Sequence, residues 1–60
     1  MSTWKVQAKY FDPETREWQE DTFIESGYST GGGPIYQVER KIRNIGGERV
    51  LIKSCVEINV

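Results

Sequence analysis

The sequence has no histidine and only one cysteine, Cys55, among its 60 residues. A single thiol cannot form a disulfide within the chain, and without histidine it cannot assemble a zinc site. A nucleophilic cysteine also needs a base beside it, a role that histidine usually fills. We therefore expect a protein that binds no metal or cofactor, has no catalytic residues and is not an enzyme.

Long apolar runs are missing as well. No stretch approaches the ~20 apolar residues that span a bilayer. The start of the chain, MSTWKVQ, has no basic segment followed by an apolar one, so we expect no signal peptide. A free thiol favours a reducing compartment. These features predict a cytoplasmic protein that does not enter the membrane.

Positive charge is not in excess, because the net charge is −1. General nucleic-acid binders are usually strongly basic. The charges are unevenly placed, since acidic side chains dominate residues 1–33 and basic ones dominate residues 34–53. This division favours complementarity within the chain or between two subunits. The alternative is a small phosphate-contacting surface in the basic half.

The length predicts a single small domain that covers residues 1–60. A chain of this length buries only about 60% of the surface that its unfolded form exposes. Its core rarely supplies more than ~3–5 kcal/mol of stability, and comparable domains gain more from disulfides, metals or a second subunit. With the first two excluded, we expect self-association, as a homodimer.

One segment has the periodicity of an amphipathic helix, from Pro34 to Ile45. Proline suits the first helical position, with Gly33 as a permissive cap. Gly46 and Gly47 follow the segment, and a glycine there can adopt the left-handed backbone conformation that ends a helix. The apolar stripe that predicts this helix consists of Ile35, Val38, Ile42 and Ile45.

Three other segments have the character of strands: Trp4 to Phe11, Glu17 to Ser26, and Arg49 to Val60. The first alternates clearly, so its even-numbered side is expected to face the core. In the third segment five apolar residues share one parity, which is expected to face inward, while Leu51 and Cys55 point the other way. The five are Val50, Ile52, Val56, Ile58 and Val60.

Residues Asp12 to Thr15 are typical of a type I turn, because aspartate accepts backbone hydrogen bonds and proline sets φ at the next position. The turn predicts a hairpin with a five-residue connection and a bulge near Arg16. Pairing Tyr10 with Glu17 would put Asp21 in the core, so burial favours the other register. That register pairs Tyr10 with Trp18, Val6 with Thr22, and Trp4 with Ile24.

The element order predicts an α+β fold of ββαβ type with one helix packed on one face of a three-stranded sheet. A helical crossover returns the third strand parallel to the second, and such crossovers are right-handed in ~98% of cases. We expect sheet order 2-1-3, with strand 3 antiparallel to strand 1. The opposite face of the sheet would then be open to water or to a partner.

Apolar side chains on that open face form the predicted partner or dimer interface, because contiguous exposed apolar patches mark interfaces. The acidic series Glu17, Asp21 and Glu25 is expected on the same face, paired with lysines of strand 1. Glu20 is expected at the sheet edge, toward Arg40 or Arg43. The predicted interface consists of Phe11, Phe23, Leu51 and Cys55.

These observations predict a small non-enzymatic protein-binding or regulatory module that acts through its sheet face or the free edge of strand 3, as a homodimer. The alternative is an RNA-contacting protein that uses a helix N-terminus and a basic helix face. The glycine segment lacks the lysine and the serine or threonine that complete a phosphate loop. The residues proposed for anion or nucleic-acid contact are Gly32, Gly33, Arg40, Lys41 and Arg43.

Overall fold

The computed structural model describes residues 2–58. Its elements are β1 (Ser2–Asp12), β2 (Glu17–Tyr28), α1 (Gly32–Asn44) and β3 (Glu48–Ile58). The strands form one sheet in the order β2-β1-β3, and both outer strands run antiparallel to β1. The predicted α+β fold with sheet order 2-1-3 is therefore confirmed. Val60, which we expected to face inward, lies outside the described residues.

The core lies between α1 and the even-numbered side of β1, as the alternation predicted. Strands of this length extend about 36 Å, whereas a helix of 13 residues extends about 20 Å. The helix therefore covers little more than half of the sheet's length on one face. The buried hydrophobic residues are Val6, Ala8, Tyr10, Val38 and Ile42.

The helix begins at Gly32, two residues before the predicted start, with Gly31 as its N-cap. At the other end the chain reverses through Gly46, whose φ of 89° lies in the left-handed region that favours glycine. The Gly46 N–H donates to the Arg43 carbonyl at 3.0 Å, and the Gly47 N–H donates to the Ile42 carbonyl at 2.9 Å. This bond pattern is a Schellman motif.

Ile45, the last residue of the predicted apolar stripe, does not contribute to the core. It is the C-cap of α1, and 71% of its surface is exposed. The helical spacing predicted that Ile45 faces the core, but the helix ends at Asn44, so the spacing does not apply to this residue. This part of the prediction was wrong because periodicity does not locate the last helical turn.

The β1–β2 turn keeps its predicted chemistry but is one residue shorter than expected. The Asp12 carboxylate accepts a hydrogen bond from the Glu14 N–H at 3.0 Å. Asp12 then pairs with Glu17, so only residues 13–16 connect the strands. Arg16 ends the connection with a left-handed φ of 60°.

The shorter connection shifts the hairpin register by one residue, so the predicted register was wrong. A shift of one residue moves every side chain of β2 to the other face. Phe23 therefore packs against the core, and Ile24 lies on the face away from the helix. The observed pairs are Tyr10 with Gln19, Val6 with Phe23, and Trp4 with Glu25.

The observed register places acidic residues of β2 on the helix side, where we expected apolar ones. Asp21 accepts a hydrogen bond from the Tyr10 hydroxyl at 2.8 Å, which raises the pKa of Tyr10. Glu25 is 7% exposed and accepts from Lys41 at 2.5 Å. Asp21 and Glu25 both have a partner and Glu17 is exposed to water, so the polar side of β2 is tolerated. The expected pairing of Glu17, Asp21 and Glu25 with lysines of the open face was wrong.

Two register shifts in β3 break the parity that the sequence predicted for this strand. Gln7 pairs with Ser54 but Ala8 pairs with Ile52, so Lys53 is an extra residue. An extra residue reverses which side chains face the core beyond it. Val50 and Ile52 pack against the core as predicted. The residues after the shift are reversed, so Cys55 faces the helix while Val56 and Ile58 lie on the opposite face.

Candidate functional site

The surface that a partner can reach most readily is the sheet face that α1 leaves uncovered, which we call the open face. On β1 it consists of the odd-numbered residues that the alternation predicted. Directly paired residues share a face, so the strand pairings extend it to β2 and β3. Its five rows, written from β2 across β1 to β3, are Trp18–Phe11–Glu48, Glu20–Lys9–Leu51, Thr22–Gln7–Ser54, Ile24–Lys5–Val56 and Ser26–Thr3–Ile58.

Large apolar side chains on the open face are exposed to solvent. Ile24 and Val56 flank Lys5 and are 56% and 54% exposed. Toward the hairpin, Trp18 is 42% exposed and Leu51 is 55% exposed. Scattered exposed apolar residues are normal, but these four share one face of a small domain. They make the open face the main apolar surface of the described part of the chain.

Aromatic and cationic side chains meet at the hairpin end of the open face. The rings of Phe11 and Trp18 are 5.7 Å apart in an edge-to-face arrangement. The Lys9 ammonium lies 5.4 Å from the Trp18 ring centroid, and the Arg49 guanidinium lies 5.9 Å from that of Phe11. Such contacts hold the cations against the rings. The cluster is therefore a preformed, partly apolar surface with positive charge around it.

Polar contacts organise the middle of the open face. Lys53 reaches across β1 and donates to the Glu20 carboxylate at 2.7 Å, and this hydrogen bond lowers the pKa of Glu20. We had expected Glu20 to reach toward Arg40 or Arg43, which was wrong because the register turns it to the other face. Ser54 donates to Gln7 at 2.9 Å in the next row. The middle row is thus hydrogen-bonded across two strands.

The four residues predicted for the interface separate onto two faces. Phe11 and Leu51 lie on the open face as predicted. Phe23 and Cys55 do not, because the hairpin register and the β3 shift turn both toward the core. The Cys55 thiol lies 3.8 Å from the Gly31 carbonyl at the start of α1.

The sequence prediction missed Trp18, Ile24 and Val56 as open-face residues. Trp18 and Ile24 were assigned to the inner face with the wrong register, and Val56 was assigned there by the unbroken parity of β3. The unusual φ at Arg16 and the extra residue at Lys53 were the deciding features. Neither has a sequence signal as strong as a glycine in a turn.

The residues predicted for nucleic-acid contact are not brought together either. Gly32 and Gly33 lie at the start of α1, whereas Arg43 lies in its last turn, about 16 Å away along the axis. Lys41 is engaged by Glu25 under the edge of the helix. Arg40 and Arg43 are exposed and share the outer side of α1 with Tyr36, which is 57% exposed.

The two free sheet edges differ in charge. β2 carries acidic side chains and no cation, whereas β3 carries charges of both signs. Charged edges and bulges both discourage pairing with a foreign strand. The shifts at Lys53 and Arg49 therefore make the β3 edge less suitable for strand addition than its length suggested.

Residues 2–58 form no surface pocket, and no three acidic or cysteine side chains among them lie close enough to share a metal ion. In the same range no helix has the length and apolar character to cross a membrane. Comparison of the chain with protein-family models, with curated proteins and with solved structures found no match.

Proposed function

We propose that the chain is a small non-enzymatic protein-binding module that works through its open face, and that it associates there with a second copy of itself. The observation that carries this proposal is the exposure of Ile24, Val56, Leu51 and Trp18 on one side of a sheet whose other side is covered. Unpartnered faces with several large apolar side chains are typical of interfaces.

The size of the core supports the proposal. Five hydrophobic residues are buried in the described part of the chain, and one of them is an alanine. Small domains of this kind gain stability from a second subunit when disulfides and metals are absent. Covering the open face would remove apolar surface from water, which stabilises the dimer by roughly 25 cal/mol for each Å² that is buried.

The area available also supports a dimer. The Cα atoms span 37 × 15 × 14 Å, so a face of that length and width offers a footprint on the order of 550 Å² per copy. Two such footprints total roughly 1,100 Å², which is just above the minimum of about 1,000 Å² for a specific interface and below the standard size. We therefore expect a weak dimer, with dissociation constants in the micromolar range rather than the nanomolar range.

The test is sedimentation velocity of the full chain between roughly 10 μM and 1 mM. We expect a concentration-dependent dimer that Ile24→Lys abolishes, because a lysine there replaces one of the exposed apolar side chains of the interface. Ile45→Lys is the matched control, since it changes another exposed isoleucine in the same way but on the helix side. A wild-type chain that stays monomeric up to 1 mM contradicts self-association. Equal effects of the two variants contradict the assignment to the open face.

A second candidate function has one supporting observation. The outer side of α1 presents Tyr36 next to Arg40, with Arg43 one turn further on, and this combination of an aromatic ring and two cations is suited to stacking a base and contacting phosphates. The face lies opposite the open face, so both functions can coexist. Binding of single-stranded RNA that weakens steeply with salt, and that Arg40→Glu removes, would support it. No binding at low salt would eliminate it.

A further inference from the structure

We infer that the hairpin end of the open face binds single-stranded nucleic acid, with a base stacked on Trp18 and the phosphates held by a line of cations. The site consists of the rings of Phe11 and Trp18 and the cations Lys9 and Arg49, and Lys5 extends it along β1. This inference goes beyond the proposed self-association and does not depend on it. It adds a ligand of another chemical class on the same face.

The two rings are placed to receive a base. Trp18 is 42% exposed, and Phe11 stands edge-to-face beside it with the ring centroids 5.7 Å apart. The two residues pair across β1 and β2, so the sheet holds both rings in position before a ligand arrives. Aromatic rings on a sheet can stack bases of any sequence, because every base has a π-face. The ligand is therefore one whose bases are unpaired and free to stack.

The cations of the site form no salt bridge within residues 2–58, where the salt-bridged lysines are Lys41 and Lys53. Lys9 and Arg49 instead lie over the rings, with 5.4 Å and 5.9 Å between each cation and the ring centroid. A base that stacks on the ring displaces the Lys9 ammonium, whose flexible side chain can then reach the phosphate of the same nucleotide. Charge complementarity therefore favours an anionic ligand at this surface.

Lysines of the central strand continue the positive charge away from the rings. Lys9 and Lys5 are four residues apart on β1, which is about 14 Å along an extended strand. Both side chains lie on the same face, because residues an even number of positions apart on a strand point the same way. A flexible nucleic-acid strand can therefore follow β1, with its bases at the rings and its phosphates along the lysines. A surface of this length suits about four nucleotides, the lower end of the site sizes of single-strand-binding folds.

Two carboxylates on the open face limit how strongly an anion binds there. Glu20 lies in the row of Lys9 but already accepts a hydrogen bond from Lys53 at 2.7 Å. Glu48 ends the row that contains the rings, where it repels a phosphate. Replacing Glu48 by glutamine should therefore strengthen binding, which is an effect that a loss of folding cannot imitate.

The backbone of Arg49 offers a way to separate binding from folding. Its φ of 53° lies in the left-handed region, where a glycine is more stable than an arginine. The residue is nevertheless an arginine, and its guanidinium lies over Phe11. Strained residues that persist in a fold are frequent at ligand-binding surfaces. Arg49→Gly should therefore leave the fold as stable as before or more stable, while it weakens nucleic-acid binding.

The site shares Trp18 with the surface proposed for self-association, so a bound strand and a second copy exclude each other. Binding is therefore measured with the full chain at about 50 nM, where a dimer with a micromolar dissociation constant is dissociated. Self-association is measured without any oligonucleotide, so each of the two proposals can fail while the other holds.

The test measures the affinity of the full chain, labelled at its N-terminus, for oligonucleotides by thermophoresis. The probes are single strands of about 12 thymidine or uridine nucleotides and a DNA duplex of the same length. We expect both single strands to bind, with an affinity that falls roughly 20-fold between about 50 and 200 mM salt, because about three phosphate contacts give a slope of about −2. The duplex should bind several-fold more weakly, since its bases are already stacked inside the double helix.

Matched variants assign the binding to the site. Trp18→Ala should weaken it about tenfold, and Trp18→Phe should retain most of it. Arg49→Gly should weaken it about threefold, whereas Arg16→Gly should change it less than about twofold. Arg16→Gly is the control because it removes the same charge at another left-handed arginine, with a φ of 60°, outside the rows of the open face. Glu48→Gln should strengthen binding about twofold. Urea denaturation of each variant measures its folding separately.

No binding of either single strand at low salt overturns the inference. A duplex that binds as tightly as the single strands, full affinity in Trp18→Ala, or equal losses in the two arginine-to-glycine variants also overturns it. Binding that Arg40→Glu removes and that Trp18→Ala leaves unchanged belongs to the outer side of α1, and it contradicts the site on the open face in the same way.

Discussion

Glu25 illustrates how the fold handles a charged side chain in its interior. It lies on the helix side of β2 with 7% of its surface exposed, and its partner Lys41 extends from α1 with its own side chain 53% exposed. A buried carboxylate is costly unless it is paired and hydrogen-bonded. The pair therefore ties the edge of the helix to β2, at a position where the sequence had suggested a freely exposed cation.

Removing the lysine should leave this carboxylate buried and unpaired. We expect Lys41→Ala to lower the free energy of unfolding by about 1–2 kcal/mol, measured by urea denaturation. Arg40→Ala is the control, because the neighbouring arginine is exposed on the outer side of the helix, and a change there should cost less than ~0.5 kcal/mol. Equal losses for the two variants would show that the Glu25 contact contributes nothing.

The Glu20 carboxylate on the open face makes the stability of the fold depend on pH. The hydrogen bond and the charge of Lys53 lower the pKa of Glu20 below its ordinary value of 4.5. A lowered pKa in the folded state stabilises the fold at pH values above 4.5, and this contribution is lost as the pH falls through the folded-state pKa. The pair therefore weakens under acid conditions.

A carbon-detected NMR titration of the Glu20 carboxyl measures this effect directly at a concentration where the chain is monomeric. We expect the pKa of Glu20 to rise in Lys53→Met, toward its ordinary value. Lys5→Met serves as the control, because Lys5 lies in another row of the same face and should move the pKa much less. A pKa unaffected by Lys53→Met would mean that the two side chains do not interact in solution.

At the scale of the element, β2 shows where sequence reasoning reaches its limit. The strand carries Phe23 and Ile24 side by side, so an apolar residue faces inward in either register. Apolar pairing favoured the other register, and that prediction was wrong because the two carboxylates on the helix side, the exposed Asp21 and the buried Glu25, have partners in Tyr10 and Lys41. Pairing of polar side chains depends on the helix position, which the strand pattern alone does not contain.

The register makes opposite predictions for the two neighbours in β2. Phe23→Ala should lower the free energy of unfolding by about 2 kcal/mol, because Phe23 packs against the core, and should act on dimerisation only through folding. Ile24→Ala should change the monomer's stability by less than ~0.5 kcal/mol but weaken the dimer. Urea denaturation at low concentration and sedimentation at high concentration separate the two effects. The reverse pattern would show that β1 and β2 pair in the register predicted from the sequence.

The other elements were predictable to different extents. Alternation along β1 placed Val6, Ala8 and Tyr10 inward, and helical spacing placed Val38 and Ile42 beneath α1. β3 was predictable only up to Ile52, because an extra residue at Lys53 leaves no trace in the hydrophobic pattern. Strong periodicity therefore identified the fold and the existence of an open face, while local irregularities determined which side chains occupy that face.

At the scale of the whole molecule, the two faces of the sheet differ in charge. Lys53 and Arg49 reach onto the open face beside the two lysines of β1, so cations outnumber anions there, whereas the turn and the helix side of β2 are acidic. A face with exposed apolar side chains and charges of both signs suits a second copy, and the surplus of lysines lies where their ammoniums can reach the rim.

The most direct measurement of this account is an isotope-filtered NMR experiment on a mixture of labelled and unlabelled chains, which reports only contacts between copies. Within one copy Ile24 and Val56 lie on opposite sides of β1, about 10 Å apart, so their methyl groups do not contact each other. We predict that the methyl groups of Ile24 and Val56 show intermolecular nuclear Overhauser contacts at concentrations where the chain is dimeric. A dimer that shows intermolecular contacts only at α1 or along the β3 edge, with Ile24 and Val56 still open to water, would contradict the account.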